Sequence, residues 1–162
     1  MKILHDFTPA GDEYFKLNGY VQLPESADPV NPGINGFAFF LTDALLHNVL
    51  IGRQLPPGAD RWKLSINNRL WSYSDPTGSV GGVTKVKIIT IPLKGPNYYK
   101  VTIMAPKGDF LLPASKLPVN VVFAMDGSTQ IIGDGLCATQ VFSPMGGPLP
   151  ACKTIGSSLT CR

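Results

Sequence analysis

The residues whose type and spacing bear most directly on chemistry are three cysteines, Cys137, Cys152 and Cys161, all near the C-terminal end of the chain. None stands at a spacing from another cysteine or a histidine that would build a zinc site, and the two histidines, His5 and His47, are far away in sequence. The chemistry left to them is oxidation to a disulfide. A hairpin over residues 152–161, turning around Gly156-Ser157-Ser158, sets Cys152 opposite Cys161 with Leu159 on the same side. Cys137 shares a face with Val141 and competes for Cys152 across a neighbouring strand. Three pairings stay open, each leaving one cysteine either buried or joined to another molecule, and three buried reduced thiols are the remaining alternative. Closing a loop of about 10–15 residues stabilises by roughly 2–3 kcal/mol in the chain-entropy model. Such bonds persist in oxidising compartments.

The acids point less clearly to a site. They are Asp6, Asp12, Glu13, Glu25, Asp28, Asp43, Asp60, Asp75, Asp109, Asp126 and Asp134. A glycosidase needs two carboxylates about 5–10 Å apart, and no spacing here pairs any two of them. Asp126-Gly127-Ser128 and Asp134-Gly135 offer oxygens to a calcium ion, but without the repeated acids and closing Glu of an EF-hand they read as turns. His47 lies among alternating Leu and Val as a strand residue, and His5 lies in an irregular stretch. No Gly-x-Ser-x-Gly elbow, P-loop or His-Glu-x-x-His motif occurs. Gly78-Ser79-Val80-Gly81-Gly82 is glycine-rich, but no helix follows it to cradle a phosphate. Catalytic residues, metal ligands and a cofactor are therefore not assigned, and a hydrolase or lyase on a β scaffold stands as a second alternative to a non-catalytic module.

Aromatic residues supply a second kind of candidate. Trp62-Lys63-Leu64-Ser65-Ile66 and Arg69-Leu70-Trp71-Ser72-Tyr73 flank Asn67-Asn68, a two-residue turn that asparagine suits because it tolerates positive φ. That register sets Leu64 opposite Trp71 and Trp62 opposite Tyr73, all on one face. Trp62, Trp71 and Tyr73 would make a stacking platform for a glycan if that face were open. The competing reading is core, since Lys63, Ser65 and Ser72 fall on the other face, and one face must be wet.

The elements that position these groups are strands. The chain has 162 residues, enough for one core, and 44% of them are hydrophobic against 15% charged. Its 17 glycines and 15 prolines are too many for ordinary usage. With so much apolar material to bury, they read as punctuation between short strands rather than disorder. Phe15, Leu17, Val21 and Leu23 alternate with polar residues. Phe37 to Leu41 is an apolar run suited to a strand buried on both sides. Val83 to Ile91 and Tyr98 to Ala105 form a hairpin with Val86, Ile88, Tyr99, Val101 and Ile103 inward and Lys85, Lys87 and Lys100 outward. Val119, Val121 and Phe123 mark another inward set, and 136–142 a further strand. Residues 1–13 read as an irregular N-terminal arm, and 14–162 as a single domain. About ten short strands with turns every 8–12 residues predict an all-β, two-sheet antiparallel β-sandwich of immunoglobulin-like or jelly-roll-like type.

Several function classes fall away. The net charge is +3, the cations are scattered in sequence, and no dense basic stripe suggests nucleic acid. No apolar run is long enough for a membrane-spanning helix. Residues 1–6 lack the apolar stretch of a secretory leader, so the cysteines favour a processed form at the cell surface or outside the cell.

Arg61-Trp62-Lys63, Trp71-Ser72-Tyr73-Ser74-Asp75, Gly81-Gly82-Val83-Thr84-Lys85-Val86 and Leu117-Pro118-Val119 resemble a module that recurs in uncharacterised secreted bacterial proteins. The ending carries most of the likeness: Gly135-Leu136-Cys137, Phe142, Ala151-Cys152 and Gly156-Ser157-Ser158-Leu159-Thr160-Cys161-Arg162. It spans about residues 60–162 and implies an extracytoplasmic β module with no assigned activity and no functional residues to carry over. The function expected is thus a non-catalytic extracytoplasmic structural or surface module, a self-assembling subunit being its sharper version, with a glycan- or small-ligand-binding module as the alternative. An assembling subunit would use residues 1–13 to add a strand to a neighbour's sheet edge.

Overall fold

The computed structural model describes residues 1–4, 13–23, 30–45, 48–110, 112, 114–125, 137–155 and 158–161. The strands are β1 (Lys2–Leu4), β2 (Tyr14–Gln22), β3 (Phe37–Asp43), β4 (Val49–Leu55), β5 (Trp62–Leu64), β6 (Leu70–Ser74), β7 (Lys85–Thr90), β8 (Tyr98–Ala105), β9 (Val119–Ala124), β10 (Cys137–Phe142), β11 (Cys152–Ile155) and β12 (Ser158–Cys161). They form an eight-stranded sheet in the order β11-β12-β1-β2-β8-β7-β6-β5 and a four-stranded sheet in the order β10-β9-β3-β4. Every strand pairing is antiparallel.

Period-two alternation explains the large sheet. In β8 every second residue is buried, Tyr99, Val101, Ile103 and Ala105. In β2 the buried residues are Phe15, Leu17 and Val21. The register joins them directly, Phe15 to Ala105, Leu17 to Ile103 and Val21 to Tyr99. On the other side Val86 meets Ile103 and Ile88 meets Val101. One face is thus apolar throughout and packs on the smaller sheet. Phe15 stacks on Phe39 of β3 with centroids 5.5 Å apart, and Trp62 meets the edge of Phe37 at 6.3 Å. This is the two-sheet sandwich expected from the alternation.

The central strands of the smaller sheet are buried on both faces, as the run Phe37 to Leu41 predicts. Phe37, Phe39, Leu41, Val121 and Phe123 join the inter-sheet core, while Ala38, Phe40, Val122 and Ala124 form a second cluster on the opposite face. Strand β9 is buried at all six positions, and full burial on both sides is what removes any polar alternation from its sequence.

One expectation changes. Residues 2–4 are not part of an irregular arm. They pair with Lys16, Phe15 and Tyr14 of β2 and with Thr160, Leu159 and Ser158 of β12, filling a gap that would otherwise leave two rows of backbone donors and acceptors unpaired. Residues 5–12 lie outside the described residues. Ahead of β3 the chain makes a single helical turn, Pro32–Asn35, with Pro at its first position.

Candidate binding face

The aromatic cluster has the register expected of it, Trp62 opposite Tyr73 and Leu64 opposite Trp71, and Asn68 takes the positive φ of 54° that the turn requires. Its face, however, points into the sandwich. Trp62 is 2% exposed and Tyr73 not at all, and their rings contact each other at 5.2 Å. The Trp62 Nε1–H is satisfied by the Pro56 carbonyl at 3.0 Å, as an indole needs when it is buried. Trp71 is half-buried and abuts Gly33 of the helical turn, where a Cβ would come within 3.0 Å of its ring. Trp62, Trp71 and Tyr73 therefore do not form an open platform; the competing core reading holds. The turn's tip instead exposes Ile66 fully.

The cysteines separate between the sheets. Cys152 and Cys161 are directly opposed in β11 and β12 and form a disulfide, both buried with Leu159. Cys137 starts β10 of the other sheet, at a register position opposite Ala124, so the competing Cys137–Cys152 arrangement does not occur.

Among the described acids, Asp75 is the most engaged. It is buried at the end of β6, where the chain turns through Pro76-Thr77-Gly78-Ser79. Its Oδ1 accepts from the Thr77 N–H and hydroxyl, and its Oδ2 from the Ser79 N–H, the Ser79 hydroxyl and Arg61 Nη1. The Ser79 and Thr77 hydroxyls, more than the Arg61 charge, hold its carboxyl well below the usual range. A carboxylate with this many donors is a structural hub of the β6–β7 loop rather than a proton shuttle. Among the described residues no three His, Cys, Asp or Glu side chains gather as a metal site, and no helix is long and apolar enough to cross a membrane. His5, His47, Asp126 and Asp134 lie outside the described residues.

What the strand order does assemble is a basic face. Lys16, Lys63, Lys85, Lys87, Lys100 and Lys153 all sit at outward positions of the eight-stranded sheet. That is six of the 14 Lys and Arg in the chain. Lys2 occupies the outward register position between Lys16 and Thr160. None of this sheet's strands contains an Asp or Glu; the described acids lie in loops or at the far end of β3.

The cations are ordered in rows. One runs Lys16, Met104, Lys85 and Ser74, and the next Asn18, Thr102, Lys87, Ser72 and Lys63. Neighbouring strands are about 4.8 Å apart, so lysines two strands apart in a row stand about 10 Å apart at their Cα atoms, separated by Met104 in the first row and by Ser72 in the second. Lys16, Lys87 and Lys100 are half-buried, with stems able to lie on the sheet and amines reaching water. A third row, Tyr20, Lys100, Ile89 and Leu70, adds the face's aromatic corner. Tyr20 is 61% exposed, lies 5.9 Å from the Tyr98 ring and has Lys100 Nζ at 6.0 Å from its ring centre. Beyond it a shallow groove of about 580 Å³ is lined by Arg69, Leu70, Ile89, Pro92 and Leu93.

The sequence shows cations scattered at long intervals; the fold brings six of them to one surface, and none of the described acids lies in the strands that build it. Only the outward placement of Lys63, Lys85, Lys87 and Lys100 is legible locally. No family model, curated protein or solved structure matches this chain.

Proposed function

We propose that this protein is a non-catalytic extracytoplasmic surface module that holds a polyanion against the outer face of its eight-stranded sheet. The observation that carries this reading is the clustering of charge: six lysines share the outward face of strands that contain no Asp or Glu, on a molecule whose net charge is only +3. A surface of one sign on a rigid sheet concentrates oppositely charged polymers and speeds their capture. The Cys152–Cys161 disulfide supports an oxidising location, and the resemblance to modules of secreted bacterial proteins points the same way. Self-assembly through this face is disfavoured because two copies would oppose lysine to lysine. Assembly would have to use the outer strands β5, β11, β4 and β10.

The test is retention on immobilised dextran sulfate across a salt gradient. Wild-type protein should elute at a salt concentration that falls clearly for K85Q/K87Q and stays unchanged for K107Q/K116Q, which removes the same charge from the β8–β9 connection between the two sheets. Equal loss in both variants would show that net charge alone matters and would overturn the assignment to this face.

A further inference from the structure

We infer that the polyanion is a polyuronate, a chain of pyranose rings each carrying a carboxylate, and that Tyr20, Tyr98 and Lys100 form the subsite that seats one ring. This rests on the reading of the lysine face as a polyanion site and names the ligand that the face selects.

Three observations lead there. First, the central row of the face spaces its lysines with neutral hydrogen-bonding groups, Asn18, Thr102, Lys87, Ser72, Lys63 across five strands. That pattern suits a polymer with one anion and several hydroxyls per unit, and it would leave a densely sulfated chain with many unmatched charges. Second, every cation at an outward strand position is lysine. The planar fork with which arginine grips phosphate or reads guanine edges is absent from these strands. Third, the outward aromatics of the described strands stand apart rather than in succession, Tyr14 at one end of β2 and Tyr20 with Tyr98 at the other. Nucleic-acid strands bind along rows of aromatic platforms that stack successive bases, whereas Tyr20 and Tyr98 offer a single stacking place at the end of the lysine rows.

The corner has the right parts for a uronate ring. Tyr20 is the most exposed aromatic residue among the described large hydrophobics, and its ring gives the C–H face of a pyranose an apolar surface. Lys100, directly opposite Tyr20 in the register, places its ammonium beside that ring, where it can pair with the carboxylate of the sugar seated there. The groups fix an order: ring on Tyr20, carboxylate at Lys100, and the polymer continuing toward Lys87 and Lys85.

Calorimetric titration of the folded protein with oligogalacturonate, polyphosphate and oligo-dT tests this. Polyphosphate supplies charge without rings. Y20A should weaken oligogalacturonate at least fivefold while changing polyphosphate less than twofold, and Y20F should bind oligogalacturonate as wild type does. K85Q/K87Q should weaken both polymers. If Y20A leaves oligogalacturonate unchanged, or weakens polyphosphate equally, the ring subsite is wrong. Tighter binding of oligo-dT than of oligogalacturonate would reassign the face to nucleic acid and overturn the proposal. If K85Q/K87Q changes neither polymer, the polyanion face itself fails, a result separable from failure of the tyrosine corner alone. Tyr20 is exposed, so circular dichroism of Y20A should match wild type.

Discussion

Arg61 donates to Asp75 across the start of the β6–β7 loop, Nη1 to Oδ2 at 2.9 Å, yet the ion pair is the lesser part of what holds that carboxylate. Arg61 is substantially exposed, so solvent screens its charge. The Thr77 and Ser79 hydroxyls, both at 2.6 Å, and two backbone N–H groups supply most of the donors. The carboxyl ordinarily titrates near 3.8 and is depressed in the fold. A depressed carboxyl contributes stability above its unfolded value, and that contribution is lost as pH falls through about 4 toward the folded value. D75N should therefore be less stable than wild type at neutral pH and should lose less on acidification from pH 5 to pH 2. Urea midpoints measured at both pH values check this. For D75A the loss of several hydrogen bonds to a charged acceptor should cost about 1–3 kcal/mol.

The disulfide gives a second prediction. Its sequence separation is 9, so its loop restricts the unfolded chain by about 2–3 kcal/mol in the chain-entropy model. For a domain of this size that corresponds to roughly 5–10 °C in Tm. Scanning fluorimetry of wild type and C152A/C161A should show that difference. In denaturant without reductant, a thiol assay should find one free thiol per chain when Cys137 is reduced; three would contradict the bond.

What the sequence discloses here follows from the range of its signals. The Trp62–Tyr73 register and the inward set Val86, Ile88, Val101 and Ile103 are legible because each hairpin is local, and period two assigns the faces. The Cys152–Cys161 pairing belongs to the same class. The basic face is of another kind. It depends on β2 lying beside β8 and β1 between β2 and β12, neighbours far apart in the chain, and no window of sequence contains Lys16 and Lys85 together. The direction of the Trp62 face escapes for a related reason. Alternation says that Trp62 and Tyr73 share a face, but only the second sheet, through Phe37, decides that this face is dry.

Burial of Trp62 beside a half-buried Trp71 predicts two distinct fluorophores. In W71F, which keeps Trp62 alone, emission should be blue-shifted and iodide should quench it little. In W62F, emission from Trp71 should lie to the red and be quenched more. W62F should also be destabilised by about 1–3 kcal/mol, because the Pro56 carbonyl loses its donor and the smaller ring leaves a gap beside Phe37 and Tyr73. Equal and strong quenching in both variants would contradict the placement of Trp62 in the core.

The loops at one end of the sandwich meet at glycine. A Cβ on Gly82, whose φ is +82°, would lie 1.6 Å from the Lys107 carbonyl oxygen, and one on Gly81 would lie 1.9 Å from Arg53 Nε. Arg53 in turn spans the two loops, donating to the carbonyls of Gly81 and Asp109 at 3.3 and 2.7 Å and lying over the Phe110 ring at 5.0 Å. Gly82→Ala must therefore displace backbone as well as adopt a strained φ. Gly146, with φ +89° and nothing within 4 Å of a built Cβ, separates the two costs. Gly146→Ala should lose about 1–3 kcal/mol from backbone strain alone, and Gly82→Ala should lose distinctly more. Arg53→Lys should fall between wild type and Gly82→Ala, because a lysine ammonium cannot reach both carbonyls with a planar fork. Equal midpoints for the two glycine variants in urea would mean that the β6–β7 loop and the loop after β8 are not packed together as described.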